Sequence, residues 1–459
     1  MTNWKSLDEM WAALRGVVEP SEDGVKVTDE AKLRASVVDA LVWNAVFAEE
    51  RLVRETARWA IRAAAQGVGI ASASIYPLYE ARGRREVSGF TVPAINVRGI
   101  TYDTSRAALR AAIRNEVGAV IFEIAKSEIG YTEQHPDEYA AVLLAAAIRE
   151  GWRGPLFLQG DHYQLNMKKF KESPEKEKMV IADLIRESIL AGVLNIDIDS
   201  STLVDLSRPT VREQQRDNFE VCAELTRVVR ENEPKGVTIA VGGEIGEVGK
   251  KNSTEEELRE YMRGYLEMLP KGMIGIDKIS IQTGTSHGGV PLPDGRVAQV
   301  KLDFDCLSRL SRVAAEEFGM AGAVQHGAST LPNEAFHRFP EANACEVHLA
   351  TGFQNLTYDG GHFPEDLKQE IYGWLREACA GERKEGETEE QFLYKTRKKA
   401  FGPFKKKMWS LPLETRGRIG ADLEKVFEFL YQQLRVTKTR ELINRTVKPV
   451  AVPFVKPKA

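Results

Sequence analysis

Cysteine is scarce in this sequence. The 459 residues include four cysteines, at positions far apart and never in a Cys-x-x-Cys spacing. A disulfide framework or a thiolate zinc site would need cysteines paired at short spacing. The composition therefore argues against both and is typical of a cytoplasmic protein. The four residues are Cys222, Cys306, Cys345 and Cys379.

The sequence also lacks an excess of charge and any long apolar run. It carries 63 Lys and Arg against 67 Asp and Glu, so it has no basic excess with which to release counterions from nucleic acid. No apolar run approaches the ~20 residues that cross a bilayer. Residues 1–14 are amphipathic and do not resemble a signal peptide. We therefore expect no nucleic-acid partner, no membrane partner and a small-molecule ligand.

Short runs rich in Val, Ile and Phe alternate with helical patterns from Phe90 onward. Such alternation predicts repeated βα units and a parallel sheet. Eight alternations predict an α/β fold of the (β/α)8 TIM-barrel type. The predicted strands are 91–97, 119–124, 155–159, 194–199, 237–241, 278–283, 323–326 and 345–350.

The rest of the chain is predicted to be helical. Residues 1–88 show no clear strand and form an N-terminal helical extension, in which 30–65 is predicted as one long amphipathic helix. Residues 89–363 are the predicted barrel and catalytic domain. Residues 364–459 are a C-terminal helical extension and tail. The lysine clusters Lys398–Lys399 and 405–407 are interpreted as a solvated face.

Four of the seven histidines fall at predicted strand ends: His162, His287, His326 and His348. Catalytic groups of a TIM barrel come from this rim, where strands end and loops begin. Three imidazoles that converge there can hold zinc and leave a coordination position open. For His348 three roles stay open: a metal ligand, a hydrogen-bond partner of the substrate, or a packed side chain.

Carboxylates accompany these histidines. Asp161 precedes His162, and strand alternation would point the two side chains apart, so that one binds metal and the other handles protons. Glu244 and Glu247 follow predicted strand five among glycines, which permit tight turns near a ligand. For Glu247 a loop-capping role is an equal alternative. Asp199 ends predicted strand four.

Glycine-rich segments follow predicted strands six and seven. Residues 284–289, which include Gly288, and residues 327–330, which include Gly327 and Ser329, offer backbone N–H groups and hydroxyls. Such groups suit a phosphate. Phosphate sites are common at the late strands of this architecture.

These motifs, taken in order, resemble those of the zinc-dependent class II fructose- and tagatose-bisphosphate aldolases. The segment 123–132, which ends Ile-Gly-Tyr-Thr, is similar to the tagatose-bisphosphate aldolase accessory-subunit branch. The resemblance covers residues 90–355. The motifs are Val92-Pro-Ala-Ile-Asn96, Gly160-Asp161-His162, Glu244-Ile-Gly246, Gly284-Thr-Ser-His287-Gly288 and His326-Gly-Ala-Ser329.

The resemblance implies one zinc ion per subunit and a role for each matching residue. His162, His287 and His326 would be the ligands, and Glu244 a further ligand or an acid beside them. Asp161 would exchange the proton of the hydroxyl whose carbon–carbon bond breaks. The substrate-binding residues would be Asn96, Asp199, Gly288, Gly327, Ser329 and His348.

The sequence also departs from that family. The lysine expected shortly after His287 is missing, and the strand-eight pattern Asn-x-Asp-Thr reads His348-Leu-Ala350-Thr351. Both elements hold the phosphate of dihydroxyacetone phosphate in the family. The loop after strand five lacks the usual proton-abstracting glutamate, for which Glu247 is the predicted substitute. We therefore expect one end of the substrate to be recognised differently, as an unphosphorylated hydroxymethyl group.

The leading functional hypothesis is a metal-dependent ketose aldolase that cleaves or forms a carbon–carbon bond through a zinc-stabilised enediolate. One alternative is a ketose 4-epimerase, acting on tagatose and fructose or on hexuronates, which rotates and re-adds the aldehyde at the same zinc site. A second alternative is a non-catalytic accessory aldolase subunit. The expected ligand is a sugar or sugar phosphate, and the expected assembly is a homo-oligomer.

Overall fold

The computed structural model describes residues 2–21, 24–246, 251–284, 292, 302–328, 331–452 and 454–457. Strands among them are β1 (Val18–Ser21), β2 (Gly24–Val27), β3 (Ile70–Ala73), β4 (Val92–Asn96), β5 (Ile121–Ala125), β6 (Gly154–Gln164), β7 (Asn195–Asp199), β8 (Ala240–Gly246), β9 (Lys278–Ile281), β10 (Ala323–Gln325) and β11 (Glu346–Leu349).

The helices lie mainly between and around these strands. They are α1 (Leu7–Leu14), α2 (Glu30–Lys32), α3 (Val38–Phe47), α4 (Arg51–Gly67), α5 (Tyr76–Gly83), α6 (Thr101–Arg114), α7 (Lys126–Thr132), α8 (Pro136–Glu150), α9 (Met167–Glu172), α10 (Pro174–Ala191), α11 (Val211–Gln214), α12 (Arg216–Asn232), α13 (Glu255–Met268), α14 (Phe304–Phe318), α15 (Arg338–Glu341), α16 (Thr351–Asp359), α17 (Glu365–Ala378), α18 (Glu389–Thr396), α19 (Lys405–Trp409), α20 (Leu413–Gln433) and α21 (Arg440–Thr446).

Strands β4 to β11 form a closed parallel barrel. Each strand pairs with the next along the chain, and β11 pairs with β4 to close the ring. The strands are almost entirely buried because helices cover their outer faces and side chains fill the interior. The predicted (β/α)8 TIM barrel is thereby confirmed.

The N-terminal extension contains strands, so the expectation of a strandless first 88 residues is wrong. β1 and β2 form an antiparallel hairpin, and β3 pairs in parallel with the start of β6. The missed strands are only four residues long, too short for the period-two alternation by which a strand is recognised. The division of the chain into three units stays a prediction.

The segment that follows β3 closes the N-terminal end of the barrel. Arg82 of α5 donates hydrogen bonds to the backbone oxygens of Phe90, Ala321 and Ala344, at 2.6, 3.1 and 2.9 Å. These carbonyls come just before β4, β10 and β11. One buried guanidinium therefore ties together the starts of three barrel strands, and we call this closure the floor of the barrel.

The long helix predicted over residues 30–65 is interrupted. A π-helical turn (Leu33–Val37) separates α2 from α3, and extended backbone at Ala48 and Glu50 separates α3 from α4. The break lets α3 and α4 pack on each other and on α8. Arg58 of α4 fixes this packing through ion pairs with Asp137 and Glu138. These tertiary contacts override a local helical pattern that has no Pro or Gly to stop it.

The C-terminal extension is helical, as predicted. α20 packs along α6, while α17, α18 and the 3₁₀ turn Arg397–Phe401 lie beside one another, with that turn against α7. This second group therefore reaches the loop side of the barrel. No helix in the described part of the chain is long and apolar enough to cross a bilayer.

Candidate active site

A cavity of about 1070 Å³ opens at the C-terminal ends of the barrel strands. Its size is appropriate for a small organic ligand. The rim also matches the place where TIM barrels carry their catalytic groups. Six of the predicted site residues line it: Asn96, Asp161, His162, His326, Gly327 and His348.

Four predicted site residues lie outside the described residues: Glu247, His287, Gly288 and Ser329. Their roles stay predictions. Asp199 and Glu244 complete the predicted set, and both contact His162 at the edge of the cavity.

The backbone of β6 bends at the Asp161–His162 pair. The pairing register with β7 shifts between Gly160 and Tyr163, which marks a β-bulge, and His162 has a left-handed φ of 42°. Both side chains consequently line the same cavity. The expectation that strand alternation points them apart is wrong, because alternation holds only in a regular strand.

Three imidazoles stand in a row across the cavity. The ring of His326 lies between the other two, 4.2 Å from His162 and 4.0 Å from His348 between centroids. Asp161 lies beside this row: its Oδ1 is 3.4 Å from His326 Nε2 and 3.3 Å from His348 Nδ1. Strands β6, β10 and β11 thus bring a carboxylate and three imidazoles together.

Two further carboxylates approach His162 from the other side. Its Nδ1 is 3.1 Å from Asp199 Oδ2 and 3.3 Å from Glu244 Oε2. Asp199 is fixed by donors from Ser201 and Gln164. Burial and the charge of Asp199 raise the pKa of Glu244 to about 7.

Burial and charge act in opposite directions on these groups. Burial by itself would raise the pKa of Asp161, but His162 and His348 outweigh it and hold that pKa well below its usual range. Burial and the neighbouring His348 and His162 lower the pKa of His326 well below its usual value. Asp161 is therefore ionised and His326 neutral, the form in which an imidazole can bind a metal.

The residues present suit a divalent metal such as zinc. Ligand atoms of His162, Glu244 and His326 lie within 4.8 Å of one another, and so do those of Asp161, His326 and His348. Imidazole nitrogens and carboxylate oxygens are donors that zinc accepts. The buried carboxylates around the imidazoles also need positive charge nearby, which a divalent cation would supply.

A layer of buried charge beneath this site was not anticipated from the sequence. Lys278 Nζ lies 2.8 Å from Gln159 Oε1, 3.0 Å from Asp197 Oδ1 and 2.6 Å from Glu346 Oε1. Burial would lower the pKa of Lys278, but Asp197 and Glu346 outweigh it and raise that pKa. The lysine is therefore charged inside the barrel.

This layer connects the floor to the active site. The Tyr79 hydroxyl of the floor donates to Glu346, whose Oε1 lies 2.6 Å from His348 Nε2. The Nδ1 of His348 lies 2.9 Å from Glu123 Oε2. His348 thus lies between two carboxylates.

The sequence contains a pattern that indicates this layer. Single charged residues occur among apolar residues within predicted strands, as in Lys278-Ile-Ser-Ile and Phe122-Glu123-Ile.

Asn96 is oriented by two residues that sequence reasoning missed. Its Nδ2 donates to Glu128 Oε2 at 2.6 Å, and its Oδ1 accepts from Arg98 Nε at 3.1 Å. Arg98 and Glu128 also form a buried ion pair at 2.7 Å. The Asn96 amide is therefore fixed in one orientation at the cavity wall.

The C-terminal extension contributes part of the cavity wall. Tyr394, Lys395 and Lys398 line it together with residues of the barrel loops. Lys398 is half-buried, so its interpretation as part of a solvated face is wrong. The physical reason is that the turn carrying it packs against α7.

Sequence and structure comparisons agree with this geometry. The profile of the family described as "Fructose-bisphosphate aldolase class-II" matches residues 84–408, well over half of the chain. No curated protein is similar enough in sequence to match.

Several solved structures resemble this chain at low sequence identity. One is described as "a probable tagatose 6 phosphate kinase" from Sinorhizobium meliloti 1021, with 17% identity, a TM-score of 0.53 and coverage of 79% of this chain and 96% of that chain. Another is a fructose-bisphosphate aldolase from Campylobacter jejuni, with 17% identity, a TM-score of 0.49 and coverage of 81% and 97%. At 17% identity, the likeness to the Sinorhizobium meliloti structure shows a shared fold and nothing more.

Proposed function

Because this chain belongs to the class-II fructose-bisphosphate aldolase family, we propose that it is a metal-dependent ketose aldolase. The observation that carries the proposal is the position of Asp161, a buried carboxylate within 3.4 Å of two imidazoles at the mouth of the barrel. An ionised acid beside a set of metal-binding side chains is the arrangement that carbon–carbon bond cleavage next to a hydroxyl requires.

The metal-binding residues of the proposal are His162, His326 and Glu244, together with the predicted ligand His287. Zn²⁺ bound there would supply a Lewis acid for the keto oxygen and the neighbouring hydroxyl oxygen of the sugar. The chain's contribution is to hold the imidazole and carboxylate donors in place. Asp199 serves this purpose by holding His162 through its Nδ1.

Asp161 is the proposed proton acceptor in the direction of cleavage. The proton of the C4 hydroxyl passes to its carboxylate, the C4 oxygen becomes an aldehyde carbonyl, and the C3–C4 bond breaks. The electron pair of that bond stays on the ketose fragment as an enediolate, which takes up a proton at C3 to give the product. Glu247 is the predicted donor for this second proton. In its unprotonated form the Asp161 carboxylate can accept the proton of the C4 hydroxyl.

Substrate recognition in the proposal depends on the cavity wall. Asn96 presents a fixed amide to the sugar, whereas Ala350 lines the cavity with a side chain that offers no hydrogen bond. The absence of a hydrogen-bonding side chain at Ala350 supports an unphosphorylated hydroxymethyl group at one end of the ketose. Free dihydroxyacetone should then compete with substrate as well as dihydroxyacetone phosphate does.

The function is tested by product analysis with zinc-loaded protein. Fructose, tagatose, their bisphosphates and the related hexuronates would be incubated separately, and trioses and epimers would be measured for each. We expect trioses from at least one sugar. An epimer without triose would instead identify a 4-epimerase that uses the same bond cleavage. Inertness toward every sugar would contradict both and identify an accessory subunit.

Replacing Asp161 by asparagine should separate proton transfer from metal binding. We expect Asp161→Asn to lower kcat by about 10²–10⁴-fold, the contribution of a general acid–base residue, while bound zinc stays at the wild-type level. Steady-state kinetics and metal analysis of the same preparation measure both quantities. Asp183→Asn, an exposed change on α10, is the matched control. Turnover near the wild-type value in Asp161→Asn would refute the assignment.

A further inference from the structure

The 3₁₀ turn Arg397–Phe401 is firmly docked beside the cavity. The Phe401 ring occupies the space above Gly99, where a Cβ atom would lie 2.1 Å from the ring. The next residue, Gly402, donates its N–H to the backbone oxygen of Tyr131 at 3.0 Å. The position of Lys398 within this turn is therefore set by packing on both sides.

Among the described residues Lys398 forms no ion pair, in contrast to three of the lysines near it in the chain. Lys395 pairs with Glu387, Lys399 with Glu382 and Lys405 with Glu138. Lys398 lines the cavity, and its Nζ lies 5.7 Å from the centre of the Tyr131 ring.

The electrostatic surroundings of Lys398 are those of an anion site. Burial and the nearby positive charge of Arg98 lower the pKa of Lys398. The carboxylate of Glu128 pairs with Arg98 and acts on Lys398 as well. Two cations with one carboxylate between them leave one positive charge for an anion to offset.

Two other donors face the same cavity. The Tyr131 hydroxyl is buried close to the Glu128 carboxylate, which together with burial raises the pKa of Tyr131 and keeps its proton in place. Its geometry to the described residues does not meet that of a hydrogen bond. The Nε of Arg98 forms the ion pair with Glu128 and donates to Asn96, and its Nη1 donates to Gln354. Its Nη2 makes no hydrogen bond to any described residue. An ammonium, a guanidinium N–H and a phenol O–H therefore line one wall with donor capacity left over.

We propose that Lys398, Arg98 and the Tyr131 hydroxyl form a subsite for an oxyanion at one end of the substrate. The inference rests on the proposed sugar substrate and adds to it a charged end group, a phosphate or the carboxylate of a sugar acid. Charge-assisted hydrogen bonds from two cations and a hydroxyl suit either group. The C-terminal extension thereby supplies a binding residue to the barrel.

Binding measurements test this subsite without requiring turnover. Inorganic phosphate and acetate would each be titrated into the metal-loaded full-length chain by calorimetry. The variants are Lys398→Met, which removes the charge, and Lys398→Arg, which keeps it. Lys399→Met is the matched control, because Lys399 is the next residue and its partner Glu382 does not line the cavity.

We expect Lys398→Met to weaken binding of the preferred probe by at least about tenfold, the loss of one charge-assisted hydrogen bond. Lys398→Arg should stay within about threefold of wild type because the positive charge remains, and Lys399→Met should bind as wild type. Preference for phosphate would indicate a sugar phosphate, and preference for acetate a sugar acid.

Three results would overturn the subsite: no binding of either probe to wild type, unchanged binding in Lys398→Met, or an equal loss in Lys399→Met. Loss of binding in Lys398→Arg as large as in Lys398→Met would also count against it, since a structural disturbance would then explain both. None of these binding measurements depends on aldolase activity. Failure of the proposed function would therefore appear in the product analysis and not in the binding measurements.

Discussion

His326→Ala is expected to lose bound zinc and, with it, nearly all turnover. Ligand atoms of His326 lie within 4.8 Å of those of the proposed ligands His162 and Glu244, and also within that distance of the proton acceptor Asp161. Removing hydrogen-bonding neighbours of a ligand already costs about 10–100-fold in metal affinity. Removal of a ligand itself should cost more. We expect the zinc content after dialysis against a mild chelator to fall below about one-tenth of wild type.

Metal analysis by mass spectrometry and a thermal melt of each preparation would measure this effect. His135→Ala is the control, because His135 is exposed and lies outside the cavity. It should keep both metal and activity. A near-stoichiometric zinc content in His326→Ala would contradict the proposed metal site. Comparison with Asp161→Asn then distinguishes loss of metal from loss of proton transfer, since only the first variant should release zinc.

Lys278→Met is expected to destabilise the fold strongly. The substitution removes the cation that lies within 3.0 Å of both Asp197 and Glu346 inside the barrel. Breaking a buried ion pair by removing one partner costs about 3–5 kcal/mol, because the remaining charge has no compensation. The free energy of unfolding, from urea titration followed by circular dichroism, should fall by this amount.

The double variant Lys278→Met with Glu346→Gln supplies the internal check. Neutralising Glu346 removes one of the two stranded charges, so part of the lost stability should return. Lys425→Met is the surface control, since its ion pair with Asp422 is exposed and should contribute no more than about 1 kcal/mol. Equal stability of Lys278→Met and Lys425→Met would show that the buried layer is not ionised as described.

The barrel was predictable because its signal is repeated and local. Eight apolar runs with helices between them leave few alternatives, and the structure places a strand at each of them. The edges were less predictable. Residues 237–241 were expected as strand five, but β8 is Ala240–Gly246, because glycines 242 and 243 carry little strand propensity and are kept in the sheet by pairing with β7 and β9.

The charged interior illustrates what a sequence does not specify. The partners of Lys278 are 81 and 68 residues away along the chain, and no local pattern identifies which carboxylates a buried lysine will meet. The docking of Lys398 was hidden for the same reason. Its lysine-rich surroundings indicate a solvated face, whereas the contact of Phe401 with Gly99 and the hydrogen bond from Gly402 to Tyr131 bring that turn to the cavity.

The floor of the barrel has a consequence for the order of events during synthesis. Tyr79 and Arg82 leave the ribosome before any barrel strand, but the partner of Tyr79 is Glu346, 267 residues later. Contacts between such distant residues are entropically costly to form and slow to find. The floor cannot be completed until β11 has been made, because Ala344 and Glu346 lie at its start. Until then Arg82 has at most its acceptors at Phe90 and Ala321. Closure of the ring and sealing of its base are therefore a single late event, and a truncated chain that lacks β11 would expose apolar strand edges to aggregation.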